Sequence, residues 1–199
     1  MKAMDVKHCV ERQLQRLHSL PEPQQRAELA RLRQGVGRCP GDLPALWGSV
    51  LGAMDESFWG ADGPSEAEWA IYIALTLYAL HRQGEHETAM SQPGCTLGKA
   101  VRQLAERTVS DGQDWTESSV LRRFNALATA SSMPEVSHHL RGMIQLLRRE
   151  NLPLDYPQLA AELYQLQFPE GAAHVRLQWG RDLYRMSSAP TETKEKENG

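Results

Sequence analysis

Apolar residues recur every three or four positions along most of the chain, and the alternation typical of strands is nearly absent. This period is that of an α-helix with one buried face. The first helix shows it clearly, with Val6, Val10, Leu14 and Leu17 on one side. The sequence therefore predicts an all-α protein of about nine helices.

Prolines and glycines separate the helices of the first half. Pro21 ends the first helix, and Gly35 ends a second helix over residues 24–34. A third begins at Pro44, because proline is tolerated in the first turn. The predicted buried residues are Ala27, Ala30 and Leu32 in the second helix, and Leu46, Trp47, Val50, Leu51 and Met54 in the third.

The fourth helix has a clear start signal. Ser65 and Glu68 have the spacing of a capping box, and the run WAIYIALTLYAL (69–80) follows them. This run is apolar on all sides apart from Thr76, so we expect other helices to surround it. It is too short to cross a bilayer, and no membrane contact is predicted.

Five more helices are predicted in the second half. Thr96 and Thr116 are the predicted N-caps of the first two, and a second capping box at Ser132 and Glu135 begins the third. Asn151 is a predicted left-handed stop at the end of the third helix. The last two helices are predicted at 157–166 and 172–185. The polar segment 85–95 is the predicted boundary between two helical units. The resulting divisions are an N-terminal bundle at 1–84, a linker at 85–95, a C-terminal bundle at 96–185 and a disordered tail at 186–199.

The formal net charge of −3 conceals blocks of opposite sign. Residues 12–39 have six arginines and two glutamates, residues 40–98 have one arginine and eight acids, and residues 99–149 have eight bases and five acids. Such blocks suit a protein with one anionic partner and other contacts elsewhere.

Basic residues follow the outer faces of three helices in the second half. They are Lys99 and Arg102 on the first, Arg122 and Arg123 on the second, and Arg141 and Arg148 on the third. Because helices pack side by side, we expect these stripes to merge into one surface for phosphate groups, on which Lys99, Arg122 and Arg141 converge. The pattern alone leaves open the alternative that these basic residues lie on solvent-exposed helix faces that bind no phosphate.

A further basic cluster lies where the second helix meets a glycine-containing loop. Its members are Arg31, Arg33 and Arg38 in the segment ARLRQGVGR. Glycines allow another chain to approach the backbone closely. The segment lacks the G-x-x-x-x-G-K-[ST] spacing of a P-loop, which excludes that kind of nucleotide site.

Catalytic and metal-binding patterns are missing from the sequence. The seven histidines lack a ligand spacing such as H-E-x-x-H, and no G-x-S-x-G elbow occurs. Cys9, Cys39 and Cys95 form no C-x-x-C pair and are predicted to be reduced thiols. The polar N-terminus does not resemble a secretory signal. We therefore expect a cytoplasmic protein that is not an enzyme and holds no metal or cofactor.

The five tryptophans divide into two groups. Trp47, Trp69 and Trp179 occupy apolar helical positions, which predicts core packing, whereas Trp59 and Trp115 are better placed for an interface.

Seven segments, in this order, resemble the CasB family, the small subunit of the type I-E CRISPR surveillance complex Cascade. They are LARLRQGVG, LYALHRQG, CTLGKAVRQL, VLRRFNALATA, HHLRGMIQLLR, LPLDYPQLAAEL and VRLQWGRDLY, and they cover most of the chain from residue 29 to 185. Each is weak alone, but seven in the correct order and spacing are specific.

The resemblance implies a non-catalytic, nucleic-acid-binding subunit of two helical bundles in antiviral defence. Two copies would lie beside the other Cascade proteins, holding the guide RNA–target DNA duplex and the displaced non-target strand and so stabilising the R-loop. Base pairing reads the sequence in such complexes, while the protein supplies backbone contacts.

The resemblance also assigns residues. Lys99, Arg122, Arg123, Arg141, Arg31 and Arg33 match basic positions of the family, whereas Arg102, Arg148 and Arg38 are added from helical geometry. The sequence departs from some relatives near Thr129, where they have another basic residue.

A scaffold that only bridges proteins, with its arginines paired to acids of other subunits, is the alternative function. A nuclease is a third hypothesis, but it lacks clustered carboxylates or histidines for a metal. The acidic block at 40–98 would face either a basic protein neighbour or solvent, and the sequence does not decide between them.

Overall fold

Helices account for nearly all the regular structure in a computed structural model of the protein, which describes residues 3–84, 89–110 and 112–185. The nine α-helices of these ranges are α1 Ala3–Ser19, α2 Glu22–Gln34, α3 Trp47–Val50, α4 Glu66–His81, α5 Leu97–Thr108, α6 Ser119–Thr129, α7 Met133–Arg149, α8 Tyr156–Gln165 and α9 Pro169–Tyr184. Short 3-10 turns occur at Pro44–Leu46, Leu51–Ala53, Glu56–Phe58 and Trp115–Glu117. The predicted all-α class is confirmed.

The helices pack as two bundles that share one core. One bundle contains α1, α2, α4 and α8, and the other contains α5, α6, α7 and α9. Although α8 belongs to the second half of the chain, it packs against α1 and α4, and contacts of α4 with α7 and of α8 with α9 join the bundles.

The described part of the segment between the halves is held by backbone hydrogen bonds. The Gln92 N–H donates to the Leu154 carbonyl at 3.2 Å, and the Leu154 N–H donates to the Met90 carbonyl at 3.1 Å. Residues 85–88 of the predicted linker and the predicted disordered tail 186–199 lie outside the described residues. The predicted division at 85–95 stays a prediction.

Helix α4 is surrounded by other helices, as its apolar run predicts. Every residue from Ile71 to Ala79 is buried. The buried tyrosine hydroxyls need hydrogen-bond partners there. The Tyr72 hydroxyl donates to the Gly35 carbonyl at 3.0 Å, and the Tyr78 hydroxyl lies 2.6 Å from Nε2 of His18.

Some predicted helix signals are confirmed, others are confirmed only in part, and one is wrong. Ser65 and Glu68 form the complete capping box, and Asn151 has a φ of 52°. Ser132 accepts from the Glu135 N–H, but the Glu135 carboxylate accepts from Ser131 instead of Ser132. The predicted cap at Thr116 is wrong because a 3-10 turn occupies 115–117.

The caps of α5 and α6 differ from the predicted ones. Ser118 caps α6, accepting from the Leu121 N–H at 3.1 Å. Thr96 does precede α5, but its hydroxyl makes no cap bond and donates to Asp182 at 2.7 Å.

The third predicted helix is broken into short turns, and this exposes a residue predicted to be buried. Leu46 and Val50 face the core, whereas Trp47 is 51% exposed. The prediction for Trp47 is wrong because a single helical period does not run through residues 44–53. Trp179 is buried and Trp69 packs on the core, as predicted.

In α2 the buried residues are Leu29 and Leu32. Ala27 is exposed and Ala30 is half-buried, so only Leu32 of the three predicted core residues is fully confirmed.

Candidate nucleic-acid interface

The arginines of α7 lie on the side of the helix that faces the first bundle. Arg148 donates from Nη1 to the Gln83 side-chain oxygen at 2.9 Å and to the Leu80 carbonyl at 3.4 Å, at the end of α4. Arg141 lies two turns earlier on the same side. A Cβ atom placed on Gly37 would be 3.8 Å from its Nη1. The structure thus brings Arg141 to the loop that follows α2, which the sequence presents as a separate basic cluster.

The glycine loop after α2 is fixed against α4. A Cβ atom on Gly35 would lie 2.6 Å from both the Leu46 side chain and the Tyr72 hydroxyl, so only glycine permits this approach. Burial raises the pKa of Tyr72 to about 12, which keeps its hydroxyl protonated as the donor to Gly35. Gly37 has a φ of 80°, a conformation that favours glycine. These constraints hold Arg38 at the surface beside the end of α2.

Helix α6 presents two exposed arginines. Val120, Leu121 and Phe124 face the core, so the helix is oriented with Arg122 and Arg123 outward. Neither guanidinium hydrogen-bonds or forms an ion pair with any residue that the structure describes.

The basic residues of α5 are engaged within the chain. Lys99 donates to the Gly94 carbonyl at 3.0 Å. Arg102 pairs with Glu106 at 2.5 Å, and its guanidinium carbon lies 3.8 Å from the centre of the Trp115 ring. Trp115 in turn contacts Tyr184, with ring centres 5.4 Å apart. Trp115, predicted to suit an interface, therefore packs within the molecule.

The nine predicted site residues fall into two sets. Four have side-chain partners within the chain, and we call them the anchored residues: Arg31, Lys99, Arg102 and Arg148. Arg31 pairs with Glu28 at 3.1 Å. The guanidinium groups of the other five make no hydrogen bond or ion pair with any described residue, and we call these residues the free arginines: Arg33, Arg38, Arg122, Arg123 and Arg141. Convergence of Lys99 with Arg122 and Arg141 on one groove stays a prediction.

Two of the family-like segments meet where α5 packs on α9. A Cβ atom on Gly98 would lie 2.4 Å from the Trp179 carbonyl, so this glycine allows α5 and α9 to pack closely. The buried Asp182 carboxylate accepts from Thr96 at 2.7 Å and from Gln178 at 3.0 Å. Sequence reasoning did not identify these roles, although the glycine inside a predicted helix was a usable signal.

Sequence reasoning also missed Tyr72 as the anchor of the basic loop. Its signal was a tyrosine inside an otherwise apolar run, since a buried hydroxyl requires a partner.

The described residues offer neither a metal-binding cluster nor a membrane-spanning helix. They contain no group of three or more histidine, cysteine, aspartate or glutamate side chains placed to hold a metal ion. None of their helices has the length and apolar character needed to cross a membrane.

Comparison with known proteins identifies the family. The model of the CRISPR-associated protein Cse2 family matches residues 28–184. The chain belongs to the Cse2 family. It is therefore a CRISPR-associated protein and a member of a complex with other Cas proteins, which confirms the CasB resemblance of the seven segments. No curated protein matches the sequence.

Solved structures of the family share the fold. CasB from Thermobifida fusca is 34% identical with a TM-score of 0.73, over 91% of this chain and 98% of that one. A CRISPR-associated protein of the Cse2 family from Thermus thermophilus is 25% identical with a TM-score of 0.68, over 90% and 97%. A structure of CasB from Thermus thermophilus is 25% identical with a TM-score of 0.64, also over 90% and 97%.

Proposed function

We propose that this Cse2-family protein is a non-catalytic, cytoplasmic subunit of the type I-E Cascade complex that binds nucleic-acid backbone. Its free arginines bind phosphates of the guide RNA–target DNA duplex and of the displaced non-target strand. This binding stabilises the R-loop during antiviral defence, in a complex that contains two copies of the subunit.

The observation that carries this proposal is the availability of the free arginines. A guanidinium already paired within its chain has less to gain from a phosphate, whereas an unpaired one can bind phosphate in a bidentate manner. Arg122 and Arg123 are exposed side by side on α6, and Arg141 lies beside the loop that carries Arg38. The favoured contacts are therefore on α6, on α7 and after α2.

Such contacts favour R-loop formation without reading bases. Exchange of a DNA duplex for a guide–target duplex is nearly balanced in free energy, so modest backbone binding by protein shifts it. Phosphate contacts position nucleic acid but do not distinguish its sequence. We therefore expect binding that depends strongly on salt and weakly on sequence.

The test compares R-loop lifetime in the assembled complex with wild-type protein and with Arg122→Ala/Arg123→Ala. Each phosphate contact contributes roughly 0.7 to 0.9 to the slope of log affinity against log salt. The double variant is expected to flatten that slope by about 1.4 to 1.8 if each arginine neutralises one phosphate.

The matched control is Arg181→Ala/Arg185→Ala, which removes two exposed arginines outside the proposed site. It has the same net charge as the test variant, so an equal loss in both would indicate a general charge effect and contradict the proposal. An unchanged R-loop lifetime in a folded Arg122→Ala/Arg123→Ala complex would exclude the role of these two residues.

A scaffold that only bridges proteins is the alternative outcome. In that case the double variant would dissociate from the complex, because it lacks the two arginines that pair with acids of neighbouring subunits in the wild type. Native mass spectrometry of the complex separates the two results, since our proposal expects the variant subunit to be retained.

A further inference from the structure

Two exposed tryptophans lie on the most acidic part of the chain. Trp47 is 51% and Trp59 is 49% exposed. No lysine or arginine occurs between residues 40 and 81. Exposed carboxylates accompany the tryptophans in this segment. We call this surface the acidic tryptophan face: Trp47, Trp59, Asp55, Glu56, Asp62 and Glu66.

Both tryptophans lie near the start of α4. The Gly60 N–H, next to Trp59, donates to the Glu68 carboxylate at 2.9 Å. Glu68 also lines a small cleft whose wall includes Trp47. The Ser65 hydroxyl donates to the Phe58 carbonyl at 2.5 Å, which ties the 3-10 turn before Trp59 to the same helix start. The backbone next to Trp59 and the Trp47 side chain are therefore both close to Glu68.

The negative charge of this face comes from its aspartates and glutamates. The Ser57 N–H and hydroxyl, with a smaller effect from Arg12 on α1, lower the pKa of Asp55. Phosphate groups would meet repulsion here, so the tryptophans are poorly placed to stack on nucleic-acid bases.

A protein partner explains the combination better than solvent does. Tryptophan is enriched at the energetically dominant positions of protein interfaces, and indole faces attract guanidinium and ammonium groups. Complementary charge then guides the encounter and selects the partner.

We propose that the acidic tryptophan face docks an arginine- or lysine-bearing surface of a neighbouring Cas protein. The partner's cations stack on the indoles of Trp47 and Trp59 and pair with the surrounding carboxylates. This contact holds the subunit in the complex and is distinct from the free arginines proposed to bind nucleic acid.

The first test measures retention of the subunit in the assembled complex during gel filtration at increasing salt. Trp47→Ala/Trp59→Ala is expected to weaken retention at least tenfold relative to wild type. Met4→Ala/Leu177→Ala is the matched control, because these side chains are similarly exposed, at 52% and 53%, outside the acidic segment. Wild-type retention of the tryptophan variant at every salt concentration would overturn the proposal.

A charge variant covers the case in which the tryptophan variant fails to fold. Glu56→Lys/Asp62→Lys changes two exposed carboxylates and leaves both tryptophans in place. It is expected to weaken retention, most strongly at low salt, with an unchanged circular dichroism spectrum. Retention equal to wild type at low salt would overturn the proposal.

Photo-crosslinking identifies the partner directly. With a photoreactive phenylalanine replacing Trp59 in the assembled complex, crosslinks are expected to a Cas-protein peptide that contains arginine or lysine. Crosslinks to RNA or DNA, or no crosslink at all, would contradict the docking surface.

The nucleic-acid proposal is tested independently of the docking proposal. The tryptophan variant is expected to leave the salt-dependent binding of nucleic acid by the free protein unchanged, whereas Arg122→Ala/Arg123→Ala is expected to leave subunit retention unchanged.

Discussion

Arg141 lies so close to Gly37 that a Cβ atom on the glycine would be 3.8 Å from its Nη1. This contact brings a helix of the second bundle to the basic loop of the first. Arg38 belongs to that loop, which the Tyr72 hydroxyl holds against α4. Residues about 100 positions apart in sequence therefore contribute to one basic surface.

Replacing each of the two arginines on this side of α7 is expected to have a different effect. Arg148→Ala removes hydrogen bonds to Gln83 and the Leu80 carbonyl and should lower the free energy of unfolding by about 1 kcal/mol. Arg141→Ala removes no such bond and should change it by less than about 0.5 kcal/mol, while weakening nucleic-acid binding. Urea denaturation and a salt-series gel shift measure the two effects.

The same pair provides its own control, because each variant loses one positive charge from the same helix face. Equal loss of nucleic-acid affinity in both variants, with equal stability, would show that the distinction between anchored residues and free arginines has no functional meaning.

Gly98→Ala should loosen the contact between α5 and α9. The added Cβ would lie 2.4 Å from the Trp179 carbonyl, so the helices must separate, at a cost of about 1 to 3 kcal/mol. Gly180→Ala is the comparison, because open space surrounds that helical glycine and alanine there should stabilise by about 0.5 to 1 kcal/mol. If Gly98→Ala is as stable as wild type in urea denaturation, the close approach of α5 and α9 is contradicted.

Glu162 should make stability depend on pH. Its carboxylate is buried between α8 and α9 and accepts from Trp179 Nε1 at 2.7 Å and from Gln158 at 3.1 Å. Burial raises its pKa to about 7 despite these bonds. Between its ordinary pKa of 4.5 and about 7, the folded protein retains a proton that the unfolded chain releases, so this group's contribution to stability falls as pH rises.

Glu162→Gln should remove that dependence because its side chain stays neutral. From pH 5 to pH 8, the difference in the free energy of unfolding between variant and wild type should change in the variant's favour by about 2 to 3 kcal/mol. Urea denaturation followed by tryptophan fluorescence at several pH values measures the difference. A difference that stays constant from pH 5 to 8 would show that Glu162 does not titrate in this range.

Local signals in the sequence predicted much of the fold. The all-round apolar run indicated the buried position of α4, and Ser65, Glu68 and Asn151 marked helix ends through bonds to their near neighbours. Such signals depend on only a few residues, so the sequence contains them in full. Trp47 was misplaced because the 3-10 turns around it change the helical period.

Longer-range relationships were beyond sequence reasoning. Helical periodicity shows which face of α8 is buried but not that α1 and α4 cover it. In the candidate site, the outward positions of Arg122 and Arg123 followed from Phe124 facing the core. The engagement of Arg148 depends on Gln83, 65 positions away, and the loop contact of Arg141 depends on Gly37, so neither was predictable from its own helix.

A structure of the assembled complex with guide RNA and target DNA tests the central claim most directly. The decisive measurement is the distance from the guanidinium groups of Arg122, Arg123 and Arg141 to their nearest anionic groups. Our account predicts nucleic-acid phosphate oxygens within hydrogen-bond distance, about 2.7 to 3.2 Å. Aspartate or glutamate carboxylates of neighbouring subunits at that distance, with phosphates elsewhere, would contradict it.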